Sequence, residues 1–201
     1  MHGRTYDMNK LDILTVGDLI RDGDVIVEAH STSTLIRAGN VNIVVDTSTE
    51  ERKASIATSF KQIGVLPKDV SIVVLTHTHD DHCSNNGMFK KAKFYVREEE
   101  CPDGKEYVSV SKDIEIAPGV RLLHTPGHTE GSMSVIVEAD RTYAVAGDAI
   151  PLEDNYLRMV PPKLNNDAKI AMESIKSITS YASVIVPGHG FPFTVGAGKK
   201  R

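Results

Sequence analysis

Apolar and polar residues along the chain alternate with a period of two in some stretches and 3.6 in others. Period two dominates the opening: Leu11–Ile20, Val25–Ala38 and Val41–Asp46 predict a first set of strands, with Asn40 as a turn residue. Glu51–Ile63 predicts a helix, because Ala54, Ile56, Ala57, Phe60 and Ile63 gather on one face and Gly64 supplies a stop. Val70–Leu75 is a short apolar run of the kind a buried strand needs. Further strands are predicted at Lys93–Val96, Asp113–Ile116, Val120–His124, Met133–Val137 and Thr142–Ala146. A second helix is expected over about Asp167–Tyr181, capped by Asn or Asp near Asn166, before a last strand at Ser183–Pro187. Strands, a helix, more strands and a helix fit a layered α/β sandwich better than an alternating parallel fold.

Length and composition narrow the picture. With 201 residues, no linker and no internal repeat, the chain is expected to form a single domain spanning 1–201. A net charge of −4 gives no basic surplus for a nucleic-acid partner, and the absence of Trp leaves few platforms for base stacking. The first ten residues are polar and no later apolar run reaches the length of a membrane span. Two cysteines, Cys83 and Cys101, make no disulfide framework, so a cytoplasmic, reducing location is expected.

The chemistry concentrates directly after the apolar run at Val70–Leu75. His77-Thr78-His79-Asp80-Asp81-His82 places three imidazoles and two carboxylates within six residues, a density rarely produced by chance. Imidazole and carboxylate together suit zinc, iron or manganese. On extended backbone His77 and His79 point the same way, while Asp81 and His82 turn toward a second position as a helix begins. Three shorter motifs each follow an apolar strand: Thr125-Pro126-Gly127-His128, Ala146-Gly147-Asp148-Ala149 and Pro187-Gly188-His189-Gly190. Each alone reads as a glycine turn; together with the first cluster they offer five His and two Asp at strand ends, enough for two metal sites.

H-x-H-x-D-H followed in order by His, Asp and His resembles the metal-binding set of the metallo-β-lactamase-fold superfamily. The resemblance covers nearly the whole chain and includes Val45-Asp46-Thr47, similar to the family's early Asp motif. It implies a four-layer αββα sandwich. It also implies that His77, His79 and His128 hold one divalent ion, that Asp81, His82 and His189 hold a second, and that Asp148 bridges them. Zinc is the expected metal, with iron or manganese as alternatives. The implied reaction is hydrolysis by a hydroxide shared between the ions, with Asp81 as the catalytic carboxylate that orients it. Within the superfamily, Asp81–Phe89, Val145–Asp148, Val186–Val195 and Cys101–Gly104 resemble metallo-β-lactamase domain-containing protein 1 and its microbial relatives. Ser84 stands where those relatives usually carry Gly, a small packing change.

Departures from other branches narrow the activity. True β-lactamases of this fold lack the bridging Asp that Asp148 supplies. Glyoxalase II and the persulfide dioxygenases carry an Arg-Gly-Cys-Gly-Arg-like run where this chain has Ile150-Pro151-Leu152-Glu153. Many quorum-signal lactonases have Tyr where Pro151 stands, and flavodiiron enzymes have Glu in place of His79. The expected activity is hydrolysis of a small ester, thioester, lactone or phosphodiester. An endoribonuclease, a mono-iron thiol or persulfide oxygenase and a non-catalytic metal binder are the alternatives. A small-molecule partner is favoured over nucleic acid, and no membrane partner is expected.

Other polar residues read differently. His124 lies four residues before His128, but Pro126-Gly127 excludes a helical zinc pair, so a structural role is expected. His30 opens Ser31-Thr32-Ser33-Thr34, a stretch that could line the site. Cys83 reads as a small buried residue, Asp80 as exposed, and His2 as tail. Asp46 is expected to orient a ligand rather than to be one. Ile150–Asn166, with Tyr156, Arg158 and Lys163, is expected at the mouth of the site; no substrate-binding residue is assigned.

Overall fold

The computed structural model describes residues 8–100 and 107–196, and it is built from two six-stranded sheets lying face to face. The first sheet runs in the order β1 (Lys10–Thr15), β4 (Ser33–Ala38), β5 (Val41–Val45), β6 (Ile72–Val74), β7 (Lys93–Arg97) and β8 (Tyr107–Val110). The second runs from β14 (Phe193–Thr194) through β13 (Val184–Pro187), β12 (Thr142–Gly147), β11 (Met133–Glu138) and β10 (Val120–His124) to β9 (Ile114–Ala117). Between β1 and β4 the chain leaves the first sheet as a separate hairpin, β2 (Asp18–Asp22) and β3 (Val25–His30).

Strand alternation explains the layering. Ile43 and Val45 of β5 and Val74 of β6 face inward, where they meet Val120, Leu122, Met133, Val135, Val145 and Val186 of the second sheet. The residues between them face outward. Val44 and Val73 pack with Leu35 and Leu75 under Ile56 and Phe60 of helix α1 (Lys53–Ile63). Leu123, Ile136, Ala144 and Ile185 pack under Ile175 and Ile178 of helix α4 (Ala168–Tyr181). The result is the four-layer αββα sandwich. Both helix ends follow local chemistry. Gly64 takes a left-handed conformation (φ 77°) and its N–H donates to the Phe60 carbonyl at 3.0 Å. Asp167 caps α4 by accepting from the N–H groups of Lys169 and Ile170.

Several expectations need adjustment. The runs Leu11–Ile20 and Val25–Ala38 are each broken, at 16–17 and 31–32, so that their halves lie in different sheets. The predicted strands omit β8 and β14, and the segment Ile150–Asn166 contains a short helix, α3 (Glu153–Leu157). Cys83, in the four-residue helix α2 (Asp80–Cys83), is half-buried rather than buried, with its Sγ 3.8 Å from the Thr78 carbonyl. His2 and the Cys101–Gly104 segment lie outside the described residues. Among the described residues no helix is long and apolar enough to cross a membrane.

Candidate metal centre

The strand directions bring the sequence motifs to one edge of the sandwich. β10 and β12 are both antiparallel to β11, and β13 is parallel to β12, so their C-terminal ends share that edge. His128, Asp148 and His189 follow those ends, and His77 follows β6 of the opposite sheet. The Met133 N–H donates to the Thr76 carbonyl at 2.8 Å and ties the two sheets together there.

All seven residues singled out from sequence converge. His77, His79 and His128 form one group and Asp81, His82 and His189 another, and within each group the candidate ligand atoms all lie within 4.8 Å of one another. His79 Nδ1 is 3.0 Å from His77 Nε2 and 3.2 Å from His128 Nε2. Asp81 Oδ2 is 3.6 Å from His189 Nε2 and 3.7 Å from His82 Nε2. Asp148 stands between the groups: Oδ1 faces His189 Nε2 (3.3 Å) and His82 Nε2 (3.5 Å), and Oδ2 faces His128 Nε2 (3.7 Å).

Four of the imidazoles are aimed by what holds their Nδ1. His82 Nδ1 lies 2.8 Å from Asp46 Oδ2, His128 Nδ1 2.8 Å from the Leu164 carbonyl, and His189 Nδ1 2.8 Å from the His30 carbonyl. His77 Nδ1 lies 3.2 Å from Thr76 Oγ1. A carbonyl oxygen only accepts, so Nδ1 of His128 and His189 must carry the proton and Nε2 is left with its lone pair toward the cluster. His79 is the exception and presents Nδ1.

Asp46 lies beneath this arrangement. It is buried, and its backbone is left-handed (φ 54°), an unusual conformation outside Gly that Asp and Asn tolerate best. Oδ1 accepts from the Thr76 N–H and Oδ2 from the Thr76 hydroxyl, both at 2.8 Å, besides receiving His82. Two glycines provide the room. A Cβ on Gly188 would stand 2.0 Å from Asp148 Oδ1, and one on Gly147 (φ 52°) would stand 2.4 Å from Thr76 Oγ1.

Packing so many ionisable groups together moves their titration. Burial and the neighbouring imidazoles hold His77 well below the usual histidine range, and burial with the nearby His128 lowers His79. Burial opposes the charged form of His82, but the carboxylates of Asp46 and Asp148 outweigh it and raise His82 well above that range. Asp148 raises His189 against burial in the same way. Asp148 itself, though buried, is held well below the usual carboxylate range by His189 and His82.

The donor set fits metal ions. His82 Nε2 and Asp148 Oδ1 are buried without a hydrogen-bond partner, although such orphans cost about 1–3 kcal/mol each. A cation between them would satisfy both. Tetrahedral ligation at about 2.05 Å requires neighbouring ligand atoms about 3.3 Å apart. The observed 3.0–3.7 Å spacings bracket that value.

The cluster forms the floor of a cavity of about 80 Å³. Its walls come from two places, the β2–β3 hairpin (Leu19, Arg21, Ile26, Ala29) and the segment after Asp148 (Pro151, Pro162, Lys163, Leu164). The second wall matches the expectation for Ile150–Asn166, but not for every residue in it: Tyr156 is buried against Phe193 and Arg158 pairs with Asp154. The His30 side chain bonds Thr49 and Glu28 instead of lining the cavity. His124 Nε2 bonds the Glu130 carbonyl, a structural contact, and Asp80 is exposed. Glu100 was not anticipated. Its carboxylate accepts from the Thr78 N–H and hydroxyl and from the Gly131 N–H, joining the loops that carry His77, His79 and His128.

Comparison with known proteins shows the family. Residues 26–189 match the family model of the metallo-beta-lactamase superfamily. The Methanocaldococcus jannaschii protein named "Probable metallo-hydrolase MJ0296" is 42% identical over 181 residues, 89% of this chain and 86% of that one. Metallo-beta-lactamase domain-containing protein 1 of Xenopus laevis is 33% identical over 181 residues, 86% of this chain and 76% of that one. A solved N-acyl homoserine lactone hydrolase, with the product N-hexanoyl-L-homoserine bound at its catalytic metal center, superposes with a TM-score of 0.72. It is 21% identical and the match covers 92% of this chain and 94% of that chain, a likeness of fold. By family match, by relatives and by fold, the chain belongs to the metallo-beta-lactamase superfamily and is a metallohydrolase of that superfamily.

Proposed function

We propose that this hydrolase works with two divalent ions, zinc foremost, on a small ester, thioester, lactone or phosphodiester. The observation that carries the two-ion reading is the position of Asp148, whose two carboxylate oxygens face two different sets of imidazole nitrogens. In this reading His77, His79 and His128 hold one ion, Asp81, His82 and His189 the other, and Asp148 joins them. Bound there, the ions would supply Lewis acidity and a water ionised near neutral pH.

The chain's own groups account for the rest. Asp81 is the only carboxylate among the proposed ligands with an appreciably exposed side chain (23%), and it lines the cavity. It is positioned to take up and orient the attacking water. His128 and His189, fixed through Nδ1, keep the floor rigid. The apolar residues of the walls, Leu19, Ile26 and Leu164 among them, reduce the access of bulk water to the reacting atoms. A cavity this small suits a compact reacting group.

The test is turnover of a panel of chromogenic esters, a lactone and bis-4-nitrophenyl phosphate, with protein loaded with zinc or manganese. Turnover that a chelator abolishes and the metal restores supports the reading. One iron per chain, with oxygen uptake in the presence of glutathione persulfide, overturns it.

A further inference from the structure

Arg21 separates itself from the other cations of the fold. Among the described arginines, Arg37, Arg52, Arg97 and Arg158 each pair with a carboxylate, and the Arg121 guanidinium lies over the Tyr181 ring. Arg141 is exposed to solvent. Arg21 is half-buried in the cavity wall and its guanidinium makes no ion pair or hydrogen bond among the described residues. Asp24, in the turn of the same hairpin, is bonded to Lys163 on the opposite wall, and it feels the Arg21 charge without forming an ion pair with it. A partly desolvated cation without a partner is costly unless an anion reaches it.

The hairpin is shaped to aim this residue inward. Leu19 pairs with Ala29, and Arg21 pairs with Ile26, so two cross-strand pairs line the cavity. Strict alternation from Ala29 would carry Val27 and Val25 to that face. The register shifts between Ile20 and Arg21, where Ile20 faces Glu28 and Arg21 faces Ile26, and Val27 is the extra residue. This bulge turns Ile26 inward beside Arg21 and leaves Val25 and Val27 largely exposed, at 66% and 63%. The wall is therefore apolar along Leu19, Ala29 and Ile26 and cationic at Arg21.

From this arrangement we infer that the site selects substrates with an anionic group, carboxylate or phosphate, joined to the reacting bond by a short apolar stretch, and that Arg21 binds that anion. The inference rests on the hydrolase reading and names its substrate class. Arg21 is a specificity residue: it touches the part of the substrate that does not react.

The experiment compares three substrates on the metal-loaded protein: 4-nitrophenyl hexanoate and its analogues ending in a carboxylate or a phosphonate. The wild type is expected to favour at least one charged ester over the neutral one by about tenfold or more in kcat/KM, mainly through KM. Arg21→Met should abolish that preference and Arg21→Lys should restore part of it. Whichever charged ester gains more identifies the anion. A ratio of charged to neutral turnover that Arg21→Met leaves unchanged overturns the inference. Calorimetric binding of adipamate against hexanamide asks the same question without turnover. Weaker adipamate binding by Arg21→Met supports the inference even if no ester is hydrolysed, a result that would count against the hydrolase reading alone. Equal binding by both proteins overturns it.

Discussion

The buried carboxylate of Asp46 lies 2.8 Å from Nδ1 of His82 and leaves the opposite nitrogen, Nε2, facing Asp148 at 3.5 Å. The same carboxylate receives the backbone N–H and the hydroxyl of Thr76, the residue before His77. One side chain thus fixes both the start of the ligand loop and one of its imidazoles. Asp46→Asn keeps the left-handed backbone accessible and removes the charge. Metal affinity should fall by about 10- to 100-fold, measured by competition with a chelator. Unfolding stability should drop by about 1–3 kcal/mol. Unchanged metal affinity would mean that His82 is not aimed by Asp46.

Gly188 should tolerate no side chain. A Cβ there would stand 2.0 Å from Asp148 Oδ1, so Gly188→Ala must push Asp148 out of line. A displacement of about 1 Å at a reacting centre costs on the order of a hundredfold in rate. The expected outcome is that loss, together with reduced metal content and a far-ultraviolet circular dichroism spectrum like that of the wild type. Wild-type activity would show that Asp148 has freedom the packing denies it.

Glu100 offers a test of loop positioning away from the ligands. Glu100→Ala frees the Thr78 and Gly131 N–H groups that its carboxylate now receives. Turnover should fall by about tenfold. Raising the metal concentration should recover part of the loss, because the ligands remain and only their alignment suffers.

A pH-dependent contribution to stability comes from Glu99. Its carboxylate accepts two hydrogen bonds from the buried Arg97, at 2.7 and 2.9 Å, and Arg97 holds Glu99 below its ordinary value of 4.5. The folded state therefore binds fewer protons here than the unfolded chain does. The stabilisation is present above about pH 4.5 and is lost as pH falls through the lower folded value. Glu99→Gln should cost about 1 kcal/mol at neutral pH, a modest figure because Glu99 is partly solvated. The difference from wild type should close in strong acid, as urea melts at several pH values would reveal. A difference that widened in acid would contradict the assignment.

The candidate ligands were legible because each sits in a short local pattern: an imidazole or carboxylate shortly after an apolar strand, with His128, Asp148 and His189 each beside a glycine. His77, His79 and His82 announce themselves within six residues. The sandwich was legible for a similar reason, since Ile43 and Val45 alternate with Val44, and Val120 and Leu122 with Leu123, as strands between two layers must. Of the cavity walls, the segment after Asp148 was legible and the hairpin was not. Whether Ile26 or Val27 faces the site depends on a bulge that leaves no mark in composition. Leu19–Ile20 reads as a continuation of β1, although the chain breaks at 16–17 and carries it into a separate two-stranded sheet. Glu100 was hidden in a run of three glutamates, of which the packing of the Thr78 and Gly131 loops uses one.

The central claim is that two metal ions are held by two ligand sets joined through Asp148. Metal content per chain, measured by mass spectrometry on wild-type protein and on Asp148→Ala, tests it most directly. The account predicts about two divalent ions in the wild type and a loss of at least one, with most of the activity, in the variant. A single iron in the wild type, or a variant that keeps both ions and full activity, would contradict it.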